Sequence, residues 1–164
     1  MPNTYTQIYV HVVFAVRGRR SLIAKEHREE LFKYVTGITK RRKQKLLAIN
    51  GMADHIHMLI RLDPTVVLSD LVRDIKAGSS GFINTNHWVP GTFSWQSGFG
   101  AFSHSNSEVD RVMAYIQGQE QHHKRRSFRD EYVRTLERFG VEYDKRYIFT
   151  DTEEAQGQAA PDGA

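Results

Sequence analysis

From Tyr5 to Val16 apolar and polar residues alternate, with Ile8, Val10, Val12, Phe14 and Val16 on one side and Tyr5, Gln7, Tyr9 and His11 on the other. A period of two predicts a half-buried strand. Between Glu26 and Lys43 the period changes: Leu31, Phe32, Val35 and Ile38 recur at helical spacing, and the last turn is basic, as the helix dipole favours. Lys45 to Ile49 and Ala53 to Leu62 read as strands, joined at the tight-turn pair Asn50-Gly51 into a hairpin that Pro64 ends. Leu68 to Ile83 predicts a second helix, capped by Ser69 or Thr65 and weakened near Gly78 and Gly81. A loop rich in Gly, Ser, Asn and aromatics leads to a short strand near Phe99 to His104. Ser107 with Asp110 predicts a capping box that opens a helix to about His123, burying Val109, Val112, Met113 and Ile116. A last helix, Phe128 to Phe139, stops at Gly140.

The order strand, helix, strand, strand, helix, strand is that of the split βαβ unit. It predicts an α+β fold: a ferredoxin-like antiparallel sheet with helices on one face, followed by C-terminal helices. No linker or repeat divides residues 1–150, which read as one domain. Residues 151–164 combine low hydrophobicity with four acids and no base, the composition of a disordered acidic tail.

Charge changes the picture. The 164 residues carry a formal charge of +4, but without the acidic tail residues 1–150 hold 23 basic against 15 acidic side chains. The bases are grouped: Arg17, Arg19 and Arg20; Lys40, Arg41, Arg42 and Lys43 with Lys45; Lys124, Arg125 and Arg126. A single such run is commonly a solvated face, whereas three in one domain favour docking of phosphate backbones. Cysteine is absent, which excludes disulfides, thiolate metal sites and cysteine nucleophiles. The longest apolar run stops at Arg17, far short of a membrane span, and no basic segment precedes it as in a signal peptide. A cytoplasmic protein without membrane contact is the expectation.

Two stretches carry candidate chemistry. His55 and His57 lie two apart on a strand, so both project from one face while Ile56, Met58 and Ile60 face the core. Same-side strand residues stand about 7 Å apart, close enough for two imidazoles to converge on one cation. With 8 histidines in the chain such a pair is also a common accident on a solvated face. Tyr115 and Gln119, four apart, share one side of the helix that follows Ser107 and flank its apolar stripe. Taken alone, a tyrosine there is an amphipathic margin residue. His11 could look into the same cleft, His122 and His123 extend a basic helix end, and Trp88, Trp95, Phe93 and Phe99 read as cover for the core more than as stacking platforms for bases.

Read together, the His55-Ile56-His57 strand, the Tyr115-Ile116-Gln117-Gly118-Gln119 helix and the segment Trp95 to Ser103 resemble the single-tyrosine HUH transposases of the insertion sequence 200 / 605 group. The likeness extends from Tyr5-Thr6-Gln7-Ile8-Tyr9-Val10-His11 through Leu68 to Lys76 and on to His122-His123-Lys124, Phe128 and Glu131-Tyr132. It implies a homodimeric endonuclease and strand transferase on a ferredoxin-like fold, cleaving single-stranded DNA at hairpin-bearing element ends. His55, His57 and Gln119 then look like metal ligands and Tyr115 like the nucleophile that forms a 5′-phosphotyrosine. In this family the tyrosine helix can pack against the partner subunit's histidine pair. Imidazoles suit manganese and carboxylates suit magnesium, so the expected cofactor is a divalent metal, magnesium or manganese. Two rival readings stand beside it. One is a noncatalytic ferredoxin-like module for single-stranded nucleic acid, which accounts for charge and fold but not for all four site positions. The other is a host-adopted, repeat-processing relative.

Overall fold

In the computed structural model, which describes residues 3–146 and 148, four strands form one antiparallel sheet in the order β2-β3-β1-β4. The strands are β1 (Tyr9–Ala15), β2 (Lys45–Gly51), β3 (His55–Arg61) and β4 (Gly100–His104). Helices α1 (Lys25–Arg41) and α2 (Leu68–Thr85) make the two crossovers. After β4 come α3 (Val109–Gln117), α4 (Gln119–His123) and α5 (Phe128–Arg138). This is the expected ferredoxin-like α+β arrangement; the acidic segment 151–164 lies outside the described residues.

One face of the sheet presents Val10, Val12, Phe14, Ile56, Met58 and Ile60 to Leu31 and Val35 of α1 and Leu71 and Ile75 of α2, forming the main apolar core. Each fully buried aliphatic side chain there contributes roughly 1.5–3 kcal/mol relative to exposure. Gly78 does not break α2. It lies where Ile38 of α1 crosses, and a Cβ at that position would stand 2.7 Å from Ile38 Cδ1, so its small size serves the helix contact. Trp95 packs edge-on against Phe14 and Phe93 and donates from Nε1 to Ser79 Oγ at 2.9 Å, while Trp88 stacks on His27. The loop aromatics therefore close the core, as expected.

Several local readings differ. All seven residues of β1 are buried, because α3 and α5 cover the sheet's second face; alternation marked the two faces but not the exposure of the polar one. Tyr5 to Ile8 precede the strand. Asn50 and Gly51 belong to β2, paired with His57 and Ile56, and the turn lies beyond them at residues 52–54. A bulge between Leu46 and Ala48 sets that register. Neither Ser69 nor Thr65 caps α2, which starts after Val67 without a side-chain cap; Thr65 bonds Asp63 instead. Ser107 caps nothing either: residues 106–108 form a 3-10 turn, and Ser107 Oγ pairs with Ser105 Oγ. The helix expected to reach His123 divides at Gly118 into α3 and α4. Its successor α5 is capped by Ser127, which accepts from Asp130 N at 3.2 Å, and ends at Gly140 in the left-handed region (φ 65°), where glycine carries no Cβ penalty.

Candidate active site

The sheet's second face carries two separate apolar clusters. Tyr9, Ala48 and Leu59 meet Val112 and Ile116 of α3, while Val13, Ala15 and Phe102 meet Phe128 and Leu136 of α5. Between them runs a buried polar seam: His11, His55, His57, Gln119 and Glu131, each 8% exposed or less. The β1–β3 register opposes Ala15 to His55 and Val13 to His57, so His11 and His57 are diagonal neighbours on that face.

The seam is held by short polar contacts. Asp54 Oδ1 lies 2.7 Å from His55 Nδ1, and Asp54 also faces Arg19 at 3.6 Å. His55 Nε2 is 3.1 Å from Gln119 Oε1, which lies 3.0 Å from His123 Nε2. His57 Nδ1 is 2.8 Å from His11 Nε2. Glu131 reaches both sides, with Oε1 3.0 Å from His57 Nε2 and Oε2 3.1 Å from His123 Nε2. Tyr115 stands above this group, its ring centre 5.9 Å from that of His57 and 6.2 Å from that of His11, with Glu131 and Gln119 facing its hydroxyl.

These donors fit a divalent cation. One ligand atom each from His55, His57 and Glu131 lies within 4.8 Å of the others. With Asp54 accepting from Nδ1, His55 Nε2 is the ring atom left to ligate, and it lies beside Gln119 Oε1, an acceptor; two such atoms suit a cation between them. His57 Nε2 and Glu131 Oε1 are close yet lack hydrogen-bond alignment, which leaves both directed at a shared neighbourhood. Burial, with His55 and His123 nearby, brings His57 down to about 4 despite Glu131, so the imidazole is in its neutral, ligating form. Burial and the His57 and His104 rings bring His11 down to about 2. For Glu131 burial acts upward, but His123 and His57 outweigh it and hold the carboxyl well below its usual range, hence ionised. Burial, reinforced by Glu131, pushes the Tyr115 phenol above its ordinary value.

The four residues expected for chemistry, His55, His57, Gln119 and Tyr115, are thus brought together within one chain. Gln119 stays one turn after Tyr115 despite the division at Gly118, donating from Nε2 to Tyr115 O at 3.4 Å. The basic clusters are dispersed. Arg17, Arg19 and Arg20 follow β1 at the His55 end of the sheet, and Arg19 turns inward to Asp54. Lys40, Arg41, Arg42 and Lys43 close α1 beside the opposite end, where Lys45 pairs with Arg61, and Arg42 bonds Asp74 at 3.3 Å. Lys124, Arg125 and Arg126 follow α4, with Arg126 beside the cavity that Tyr115 lines.

Sequence reasoning missed several participants. His123, read as part of a basic helix end, contacts Gln119 and Glu131; its position four residues after Gln119 was a usable signal. His122 sits beside Tyr115, ring centres 4.7 Å apart. Glu131 was noted only within the stretches that carry the likeness and Asp54 not at all, since only the docking of α5 and the turn before β3 put their carboxylates here.

A family model described as "Transposase IS200 like" matches residues 4–119. No curated protein matches the chain at a significant level. Among solved structures, a candidate transposase from Deinococcus radiodurans R1 is similar at 21% identity and a TM-score of 0.57, over 71% of this chain and 94% of that one. A REP-associated tyrosine transposase bound to a REP hairpin is similar at 18% identity and a TM-score of 0.57, over 74% of this chain and 72% of that one. Identities this low carry the fold.

Proposed function

Since the chain belongs to the IS200-like transposase family, we propose that it is a metal-dependent single-stranded DNA endonuclease and strand transferase in which Tyr115 is the nucleophile. The observation that carries this reading is the approach of Tyr115 to a buried set of cation-compatible donors within its own chain. His55, His57 and Gln119 would hold the metal together with Glu131; the mixed imidazole and carboxylate set suits manganese and admits magnesium. A divalent cation bound there would neutralise a nonbridging phosphate oxygen and favour the phenolate.

The remaining work belongs to side chains. Tyr115 keeps its proton in the buried, Glu131-facing site, so the phenol is guarded until substrate and cation alter the local charge. Its oxygen then attacks phosphorus, displacing the 3′-oxygen and leaving a 5′-phosphotyrosine with a free 3′-hydroxyl. The linkage conserves the phosphodiester's bond energy, so a 3′-hydroxyl can reseal a new junction by displacing the tyrosine. Asp54 fixes the orientation of His55, as carboxylates do for metal-bound histidines. The substrate proposed is a single strand next to a hairpin; a REP hairpin is what the REP-associated relative is bound to. A homodimer remains part of the reading, although Tyr115 already faces His57 of its own chain.

The test is denaturing electrophoresis of protein mixed with labelled hairpin-bearing single strands and manganese. The parent and Tyr132→Phe should form a covalent adduct, and Tyr115→Phe should form none. An adduct that survives Tyr115→Phe, or a parent that forms none with its element's own ends, overturns the reading.

A further inference from the structure

Resting on that reading, we propose that the cavity between α3 and α5 is a phosphate subsite, holding a phosphodiester of the single-stranded substrate adjacent to the one Tyr115 attacks, with Arg134, Arg138 and His104 as its anchors. The cavity measures about 300 Å³ and shares Tyr115 as a wall with the metal-compatible seam. A strand entering it is therefore continuous with whatever the phenol attacks.

Its charged lining is mainly cationic: Arg111, Arg126, Arg134 and Arg138 border it, against the one carboxylate of Glu131, which turns to His57 and His123. The helical repeat explains why: Arg111 lies one turn before Tyr115 on α3, and Arg134 and Arg138 lie about one and two turns after Glu131 on α5. The two faces that deliver Tyr115 and Glu131 to the seam thus continue as guanidinium groups along the cavity. Arg134 and Arg138 form no ion pair among the described residues, whereas Arg111 leans on Glu108. Phe139, over which Arg138 lies at 6.0 Å, supplies an apolar wall for a base or sugar.

His104 is the independent sign of a ligand. Its side chain is only 6% exposed, it borders the cavity, and its Nε2 is buried with no hydrogen-bond partner among the described residues. A buried polar atom left unpaired costs free energy, so a ligand that satisfies it gains accordingly. Nδ1 faces Glu108 Oε2 at 3.5 Å, which leaves Nε2 as the ring atom to meet a phosphate oxygen. Beyond the residues that the family model matches, α5 supplies Arg134 and Arg138, so family membership does not by itself imply this subsite.

The experiment measures binding of a labelled single strand by anisotropy, together with adduct formation, for the parent, Arg134→Gln/Arg138→Gln and a charge-matched control, Lys33→Gln/Arg73→Gln, on α1 and α2. The pocket variant should bind about tenfold more weakly, with a salt slope shallower by about 0.7 for each phosphate that is no longer neutralised. The control should stay within about twofold of the parent. Strands carrying one neutral methylphosphonate at each linkage next to the cleaved one complete a cycle: one placement should weaken the parent about tenfold and the pocket variant by less than about twofold. Equal losses in pocket variant and control, or a neutral-linkage penalty shared by parent and variant at every position, overturn the subsite. If the parent forms no adduct, the nucleophile assignment fails, while the binding cycle still decides the pocket.

Discussion

The two faces of the sheet solve different problems. Under α1 and α2 the packing is mainly apolar, from Val10 and Ile60 to Leu71 and Ile75, with Tyr34 and Lys76 against its edge. Under α3 and α5 it is interrupted, and the gap holds three histidines, a glutamine and a glutamate. A buried polar group that is left unsatisfied costs free energy, so such a seam is tolerated where every member has a partner or where the site awaits one. Stability thus resides mainly on one face and chemistry on the other, joined by strands whose alternate residues serve each side.

Substitutions on the two faces should separate these roles. The largest effect is expected from His57→Ala: adduct formation should fall by about 10³-fold, matching the several kcal/mol of charge stabilisation that a metal supplies, while hairpin binding stays nearly intact because phosphate contacts position the strand. Undiminished adduct formation, or full activity in excess chelator, would remove the metal from the reading. On the opposite face Leu71→Ala should lower stability by about 2–5 kcal/mol in urea melts, and activity per folded molecule should not change. A loss of turnover with unaltered stability would break the separation.

Manganese added at about 100 times its dissociation constant should raise unfolding stability by about 2.7 kcal/mol. Glu131→Gln should weaken that affinity about tenfold, reducing the gain at fixed metal by about 1.3 kcal/mol. Calorimetric titration gives both values directly, and equal affinity in parent and variant would exclude Glu131 as a ligand. The smallest effect belongs to Ser127→Ala, which removes the cap of α5 at about 1 kcal/mol. Its thermal midpoint should drop slightly; an unchanged midpoint would show that the docking of Phe128 and Leu136, not the cap, holds the helix.

Much of the fold was legible in the sequence, and the rest was not for identifiable reasons. Periods of two and 3.6 located β1, β3, α1, α2 and α5 within a few residues, since apolar periodicity reports directly which side of an element is buried. The apolar stripe stops at Ile116 and Gly118 follows, a usable mark of the division into α3 and α4, whereas the turn after β2 was misplaced because Asn50-Gly51 is a strong local signal overridden by pairing with β3. Tertiary pairing decided where that local preference was realised.

For the site, the sequence by itself determined the shared face of His55 and His57 and the one-turn spacing of Tyr115 and Gln119, because both follow from the geometry of a single element. Only the tertiary structure decided that the strand's polar face is buried, that α5 lays Glu131 across His57 and His123, and that Asp54 orients His55. Those contacts join residues far apart in the chain, or depend on how a turn folds, and no local period encodes which face of one element meets which face of another. Helix docking is settled by the summed burial of apolar side chains, and the polar residues it encloses come together as a consequence.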